Sequence, residues 1–509
     1  MKKNAKELTE DQSSDHGTKV VYETTEKEIR PGDVDLAYQL AQESHGIVID
    51  EKTNRRLLWK TDRYVCPLLC LVYAIQFMDK VSNSGAAVMG LLEDLEMTTP
   101  MYSWTGTGFY LGYLAFEFPA ALLLQRFPVV KTAAAFIVIW GIIMCCHAAV
   151  HNYAGFETMR VLLGALESGI TPAFVIITGQ WYKREEQFFR TSIWFSFNGL
   201  GTILSSSMAY GIYQRQLHGS IPIAGWRLIY AIMGGMTIFS GLLLGLHLPD
   251  TPAQAWFLSK EEKLQVVERI RSNKQGFGNR HFKWEQFREV FVDIRTYIMF
   301  VYVIAANIPN GSITNFSTIL IKGMNYSTSE TLLLNMPSGG VELVGCMLFG
   351  FFGRRLGVGL PVAIAGNLIF SLLAMCLLGF AKNNYAQMVG IWLFGASPVP
   401  YICLLSNISS NTAGHTKKVV SNAIFLIGYC VGNMIGPQTF KTSEAPTYTT
   451  AKVTMVVCAV IQALTLISLM VYYIIENKRR DRRNESLDIE DSEFADLTDK
   501  QNPEFRYVI

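Results

Sequence analysis

Apolar positions in this chain come in long unbroken blocks, not at the one-face spacing of a soluble helix. Twelve blocks predict membrane spans at 64–88, 104–125, 131–150, 156–181, 192–213, 226–248, 297–319, 331–353, 358–380, 385–407, 419–440 and 453–475. Each provides the ~20 mostly apolar residues that cross ~30 Å of hydrocarbon. All are expected to be helices, because a backbone facing lipid must satisfy its own hydrogen bonds. Three polar segments interrupt the pattern and divide the chain. Residues 1–62 read as an N-terminal tail, 63–248 as a first six-helix bundle, and 249–295 as a central loop. Residues 296–475 read as a second six-helix bundle and 476–509 as a C-terminal tail. The expected fold class is thus an all-α membrane protein of twelve transmembrane helices in two six-helix halves. No cleavable signal peptide is expected before the first span.

Composition sharpens this reading. Half of the residues are apolar and 17% are charged, against ~25% charged in a soluble domain. The charges are also segregated: 56 of the 86 lie in the three polar segments. A net charge of +2 carries no basic signature, so no nucleic-acid partner is expected; the lipid bilayer is. Lys and Arg then set orientation. One set of span ends, with the central loop and the residues flanking spans one and twelve, carries 27 of them; the opposite loops carry five, namely Arg215, Lys322, Lys382, Lys441 and Lys452. Both termini are therefore expected in the cytoplasm. The nine cysteines all fall inside spans with no framework spacing and read as small buried hydrophobes.

The central loop splits the spans six and six, and each half has a basic turn after its second span, Leu124-Gln125-Arg126-Phe127-Pro128 and Gly353-Arg354-Arg355-Leu356-Gly357. Parallel six-helix repeats are a transporter plan that places a substrate site at their interface near mid-membrane. Small residues four apart permit close helix contact. Gly108 and Gly112 do so on span two, and Gly428, Gly432 and Gly436 on span eleven.

Ionisable groups within spans are candidates for function. Asp79 and Lys80 lie on span one, Glu117 on span two, Arg160 and Glu167 on span four, and Glu342 on span eight; Arg227 opens span six. Arg160 and Glu167, seven residues apart, share one helix face about 10 Å apart. Asp79 and Lys80 point about 100° apart, so they cannot face one cavity equally. Two readings follow. Asp79–Arg160 and Glu167–Lys80 can be ion pairs that hold helices together. Alternatively, the acids take up protons while Lys80 and Arg160 attract an anion. Burial disfavours a charged carboxylate, and an anion entering a negative-inside cell climbs ~2.3 kcal/mol per charge per 100 mV, so a proton carried with each anion cancels its charge. Glu117, next to Pro119, reads as structural. Glu342 reads equally as a cavity residue or as a partner for backbone near Pro337.

Other chemistries find little support. The chain has no Gly-Lys dipeptide, hence no phosphate-binding loop of the Gly-x-x-x-x-Gly-Lys type. His147 and His151 have helical metal-ligand spacing but no carboxylate partner in the sequence, and read as interface residues. No cofactor is expected beyond the proton as coupling ion, and no metal. Residues 485–499, rich in Asp and Glu, read as a solvated tail. An enzyme is not expected.

A series of motifs then resembles a known family. Gln76-Phe77-Met78-Asp79-Lys80 stands on span one. Span four and its loop carry Arg160-x-x-x-Gly164-x-x-Glu167-x-Gly169-x-x-Pro172 and Trp181-Tyr182-x-Arg184-x-Glu186-x-x-x-Arg190. Gly225-Trp226-Arg227 precedes span six, and Leu248-Pro249-Asp250-x-Pro252 follows it. Asn411-Thr412-Ala413-Gly414-His415-Thr416-Lys417-Lys418 precedes span eleven, which holds Gly428-Tyr429-Cys430-Val431-Gly432-Asn433. Over residues 60–475 the chain resembles the major facilitator superfamily, in its anion:cation symporter group, and there the fungal allantoate permease family.

The resemblance implies import of a small organic anion with protons: allantoate, ureidosuccinate, a vitamin carboxylate or a sulfur-containing acid. It implies proton sites at Asp79 and Glu167 and substrate sites at Lys80 and Arg160. Lys80 stands where bacterial relatives have Arg, and a point charge cannot form the bidentate carboxylate fork. Asn307, Asn310, Glu342, Asn422 and Asn433 are second-half candidates for the cavity. Gating or structural roles go to Glu117, Arg126, Arg184, Arg190, Arg227, His415 and Lys417. The glycine rows are expected to pack spans two and eleven together between the halves. A monomer in the plasma membrane is expected, with an internal membrane as the other option. Two alternatives stand beside the importer: a nutrient sensor of the same fold with little transport, and a proton-coupled carrier of a neutral or cationic solute.

Overall fold

The structure is a computed structural model that describes residues 49–271, 283–356, 359–483 and 497–509; the side chains of Arg184, Arg354, Arg355 and His415 also lie outside the described residues. Among the described residues, eleven helices are long and apolar enough to cross a membrane: Glu51–Asp94, Thr99–Arg126, Val129–His147, Tyr153–Trp181, Gly225–His247, Ile294–Lys322, Thr328–Phe352, Leu360–Phe380, Asn384–Ile408, Thr416–Gln438 and Thr449–Arg483. The helix Arg184–Leu217 makes the twelfth pass, as span five. Ser192, Ser196, Ser205, Ser206 and Ser207 dilute its hydropathy, and four of the five are buried. Large apolar side chains such as Leu111, Phe118, Ile142, Phe239 and Leu464 are exposed along the spans, which is the pattern of a lipid-facing surface.

Helix contacts repeat across the two halves. Span one packs on spans five and six, and span seven packs equivalently on spans eleven and twelve. Span three pairs with span six as span nine pairs with span twelve. The halves meet through spans two and eleven, through their equivalents eight and five, and through spans one and seven.

The glycine rows work differently from the sequence expectation. A Cβ on Gly112 would run into the Val161 carbonyl of span four, and one on Gly164 into the Phe109 carbonyl of span two. Gly428, Gly432 and Gly436 all face span seven, at Phe300, Ile304 and Ile308. Both rows therefore pack helices within one half. Spans two and eleven do touch, but through side chains: Gln438 donates to Thr107 Oγ1 at 2.8 Å, and Thr107 donates to the Met434 carbonyl at 3.1 Å.

Span four is broken. It forms one helix from Tyr153 to Glu167 and a second from Ile170 to Trp181. Pro172 has no N–H to give the Ser168 carbonyl, and its ring crowds that turn. Gly169 is held against Phe136, with no room for a Cβ. Glu167 is thus the last helical residue before the break.

The polar segments dock onto the span ends beside the central loop. The first-half turn holds Arg190, which binds Asp62 through two bonds of 3.2 and 2.8 Å, and Glu186, which pairs with Arg269 of the helix Lys260–Arg271. In the second half, Arg295 and Lys417 are buried in an acidic nest. Arg295 pairs with Asp293 and Asp499, and Lys417 lies 2.8 Å from Asp499, 2.7 Å from Glu289 and 3.1 Å from Asp293. Val508 N donates to Asn411 Oδ1 at 2.7 Å, and Arg480 donates to the Phe505 carbonyl at 2.9 Å. Part of the C-terminal segment is therefore not a solvated tail: Asp499 is fully buried and Tyr507 nearly so. Residues 485–496 of the acidic run lie outside the described residues. The cost of burying Asp293 pushes its carboxyl up, but the Arg295 and Lys417 charges outweigh it and hold that carboxyl well below the usual range.

The cysteines are free, and five of the nine are buried; Cys146 is exposed.

Candidate functional site

The charged residues of the first half converge where spans one, two, three and four meet. Lys80 and Asp79 are neighbours on one helix and diverge as the helical turn requires. Lys80 Nζ lies 2.6 Å from Glu167 Oε1. Gln76, one turn earlier on the face of Lys80, donates to the same oxygen at 2.9 Å. Asp79 turns toward span three, where the indole Nε1 of Trp140 donates to Oδ2 at 2.6 Å. The other oxygen of each acid, Asp79 Oδ1 and Glu167 Oε2, is buried without a hydrogen-bond partner.

Arg160 is buried on the same helix as Glu167. Its Nε meets the Thr105 carbonyl at 3.4 Å, and its Nη1 has no partner. Asp79 lies within its electrostatic range, yet the two form no ion pair among the described residues. Of the two ion pairs weighed from the sequence, only Lys80–Glu167 exists. Phe109 of span two sits between the cations, with the Lys80 ammonium 5.9 Å and the Arg160 guanidinium 5.2 Å from its ring centre; such contacts are attractive. Lys80 alone of these four ionisable groups keeps exposed surface, 15% against 2% or less for Asp79, Glu167 and Arg160.

Tyrosines complete the surroundings. Tyr73 of span one and Tyr429 of span eleven lie within electrostatic range of Lys80, so both halves contribute. Tyr429 is 5.8 Å from Tyr110, 6.2 Å from Tyr113 and 6.4 Å from Tyr401, centre to centre. None of these rings, nor Gln76, Phe109 or Trp140, was assigned a role from the sequence. One signal was available for the tyrosines. They normally gather at the membrane interfaces, and these sit far inside their spans.

The remaining candidates are scattered. Asn307, Asn310 and Asn433 do come together: Asn433 donates to Asn307 Oδ1 at 3.1 Å and accepts from Asn310 at 3.0 Å. They join spans seven and eleven. Asn422 is exposed, nearer the central-loop end, and is not part of that group. Glu342 is buried between spans five and eight, hydrogen-bonded to Asn198. Glu117 is half-buried and makes no ion pair among the described residues. Arg126 is exposed and makes no ion pair among the described residues. Arg227 donates to the carbonyls of Ala148 and Val150 at 2.8 and 2.6 Å, closing the end of span three. Arg190 and Lys417 belong to the two docking clusters described above. His147 stacks on Tyr230 with centres 5.0 Å apart, while His151 is exposed.

At the span ends far from the central loop, hydrogen bonds tie the halves. Ser84 meets Thr318 Oγ1 at 2.8 Å, Asn83 donates to Asn315 Oδ1 at 3.3 Å, and Tyr102 donates to the Asn315 carbonyl at 2.7 Å.

The fold, and a buried charge cluster facing the seam between its halves, define a membrane transporter with a small-molecule substrate. The sequence agrees: the Major Facilitator Superfamily model matches residues 69–437. An uncharacterized transporter of Schizosaccharomyces pombe is 50% identical, covering 95% of this chain and 95% of its own. The allantoate permease of Saccharomyces cerevisiae is 46% identical, covering 94% of this chain and 90% of its own. A thiamine pathway transporter of the same yeast is 33% identical over 89% and 86%. Among solved structures, the proton:xylose symporter XylE aligns with TM-score 0.60 at 13% identity, covering 81% of this chain and 96% of that one. The chain belongs to the Major Facilitator Superfamily. Within it, the chain is a member of the fungal allantoate permease family.

Proposed function

We propose that this protein is a proton-coupled importer of a small organic anion, working by alternating access at the seam between its halves. One observation carries the proposal: the Lys80 ammonium, partly exposed and within electrostatic range of Tyr429 in the other half, is held by the buried carboxylate of Glu167. An incoming anion needs the same ammonium. A protonated Glu167 gives it up, while an ionised Glu167 competes for it, so proton and anion bind together. Asp79 adds a second acid, and Arg160, over Phe109, a second cation. Two acids can supply two protons, which makes entry of a monoanion driven by voltage as well as by the pH gradient. The central-loop ends of the spans are cytoplasmic on this reading, with both termini inside and the plasma membrane as the site of action. The far-end bonds then close the outer side.

The named activity of the yeast relative supports allantoate or a similar acid, with ureidosuccinate, vitamin carboxylates and sulfur-containing acids as further candidates. The closed Lys80–Glu167 pair also favours a second reading, in which the cluster stays internally neutral and the solute is neutral or cationic. Uptake into proteoliposomes under an imposed pH gradient separates them. Accumulation of an acid from this panel, collapsed by a protonophore and lost in Glu167→Gln, supports the first. Accumulation of neutral or cationic solutes alone overturns it.

A further inference from the structure

The two membrane acids differ in what holds them. Glu167 Oε1 accepts from Lys80, whose ammonium an arriving anion can draw away, and from Gln76, whose amide presents either an N–H or a carbonyl. Asp79 Oδ2 accepts from the indole of Trp140, fully buried on span three. An indole N–H donates and has no means of accepting. While that bond stands, Oδ2 cannot carry a hydroxyl hydrogen toward its partner. Oδ1 is buried and free of partners. A carboxylic acid with its O–H on Oδ1 still presents Oδ2 as a carbonyl acceptor, so the Trp140 bond survives in both protonation states.

We propose that Trp140 is a positioning residue that dedicates Oδ1 of Asp79 as the proton-carrying oxygen and keeps the carboxyl in one orientation through the cycle. The charged and titratable groups facing Asp79 are Lys80 on its own span, Arg160 and Glu167 on span four, and Tyr230 on span six. His147 of span three stands beyond, in range of Arg160. None of these donates to Oδ2 among the described residues. Trp140 therefore acts on the coupling site while touching neither proton nor substrate. The inference rests on the coupling role proposed for Asp79.

The test is Trp140→Phe in the full chain, which keeps a ring and removes the donor. A donor to a carboxylate favours its charged form. Its loss shifts the external pH of half-maximal uptake upward by about one pH unit, the difference between a charge-assisted and a neutral hydrogen bond. In an Asp79→Asn background, where this carboxyl carries no proton, adding Trp140→Phe is expected to leave substrate exchange at the level of Asp79→Asn alone. A pH profile matching the wild type, or exchange lowered further by Trp140→Phe in the Asp79→Asn background, overturns the proposal. Infrared difference spectra of the unmodified protein on acidification give a readout independent of the Trp140 variant. A carboxylic C=O band at the position of a hydrogen-bonded carbonyl, absent from Asp79→Asn, is expected, and a free-carbonyl band overturns the inference. If Asp79→Asn itself leaves the pH dependence of uptake intact, the coupling reading fails whatever Trp140 does.

Discussion

The ammonium of Lys80 stands 2.6 Å from Oε1 of Glu167, joining span one to span four next to the break that Pro172 and Gly169 impose. The pair links a buried acid to the one partly exposed group of the cluster. Anything that binds Lys80 from the seam must alter the state of Glu167.

On the proposed reading, replacing Glu167 with Gln removes the competition and the proton together. Accumulation against a gradient is expected to vanish while exchange of labelled for unlabelled substrate persists. Parallel uptake and exchange assays in proteoliposomes check this.

On the proposed reading, truncating Lys80 to Ala removes the anion's charged partner. A hydrogen bond to a charged group contributes about 1.5–3 kcal/mol, so KM for the anion rises about tenfold to a hundredfold. Lys80→Arg keeps the charge and should recover part of it. Uptake kinetics at fixed low pH measure both.

A methyl group at Gly112 meets the Val161 backbone, which cannot give way as a flexible side chain would. Gly112→Ala is expected to destabilise the first half by about 1–3 kcal/mol, the usual range for overpacking. Gly235, where a Cβ meets nothing within 4 Å, is the control, and thermal unfolding in detergent reports the difference.

The far-end ties Ser84–Thr318 and Asn83–Asn315 each contribute on the order of 1 kcal/mol. The double variant Ser84→Ala/Asn315→Ala should therefore favour the far-end-open state by about tenfold or more. Spin labels at Arg215, in the last turn of span five, and Lys441, after span eleven, should show a longer distance population.

Asp499 closes the second-half cluster, and Asp499→Asn strips a buried partner from both Arg295 and Lys417. Breaking a buried pair costs about 3–5 kcal/mol, so segment 497–509 should detach and become open to protease in inside-out vesicles. The share contributed by Asp293 has a defined pH window. Its folded-state pKa is depressed, so its stabilisation is complete above the unfolded value of about 3.9 and is lost only as pH falls through the folded value. Protease resistance from this source should hold at neutral and mildly acid pH.

The spans were legible in the sequence because crossing a bilayer depends on local apolar content, which a window of residues already contains. Span five was legible too, despite its serines, from its length and flanking charges. Asp79, Lys80, Arg160 and Glu167 stood out because a charge among apolar residues is conspicuous wherever the helix points. Trp140, Phe109 and Tyr429 gave no such contrast, since an aromatic ring in a span is ordinary until its neighbours are known. The rows at Gly112 and Gly432 announced close contact but not with which helix. Asp499 looked like one more acid in a polar run, and only its seat between Arg295 and Lys417 distinguishes it.

By itself the sequence determined a twelve-span, two-halved membrane protein with acids and bases placed in spans one and four, because hydropathy and charge add up along the chain. Tertiary structure alone decided that Lys80 pairs with Glu167 while Asp79 takes the Trp140 indole, and that Arg160 keeps a free guanidinium nitrogen. The two pairs join residues 87 and 61 positions apart, and the rotation of each helix about its own axis, set by packing against all its neighbours, fixes which of them meet.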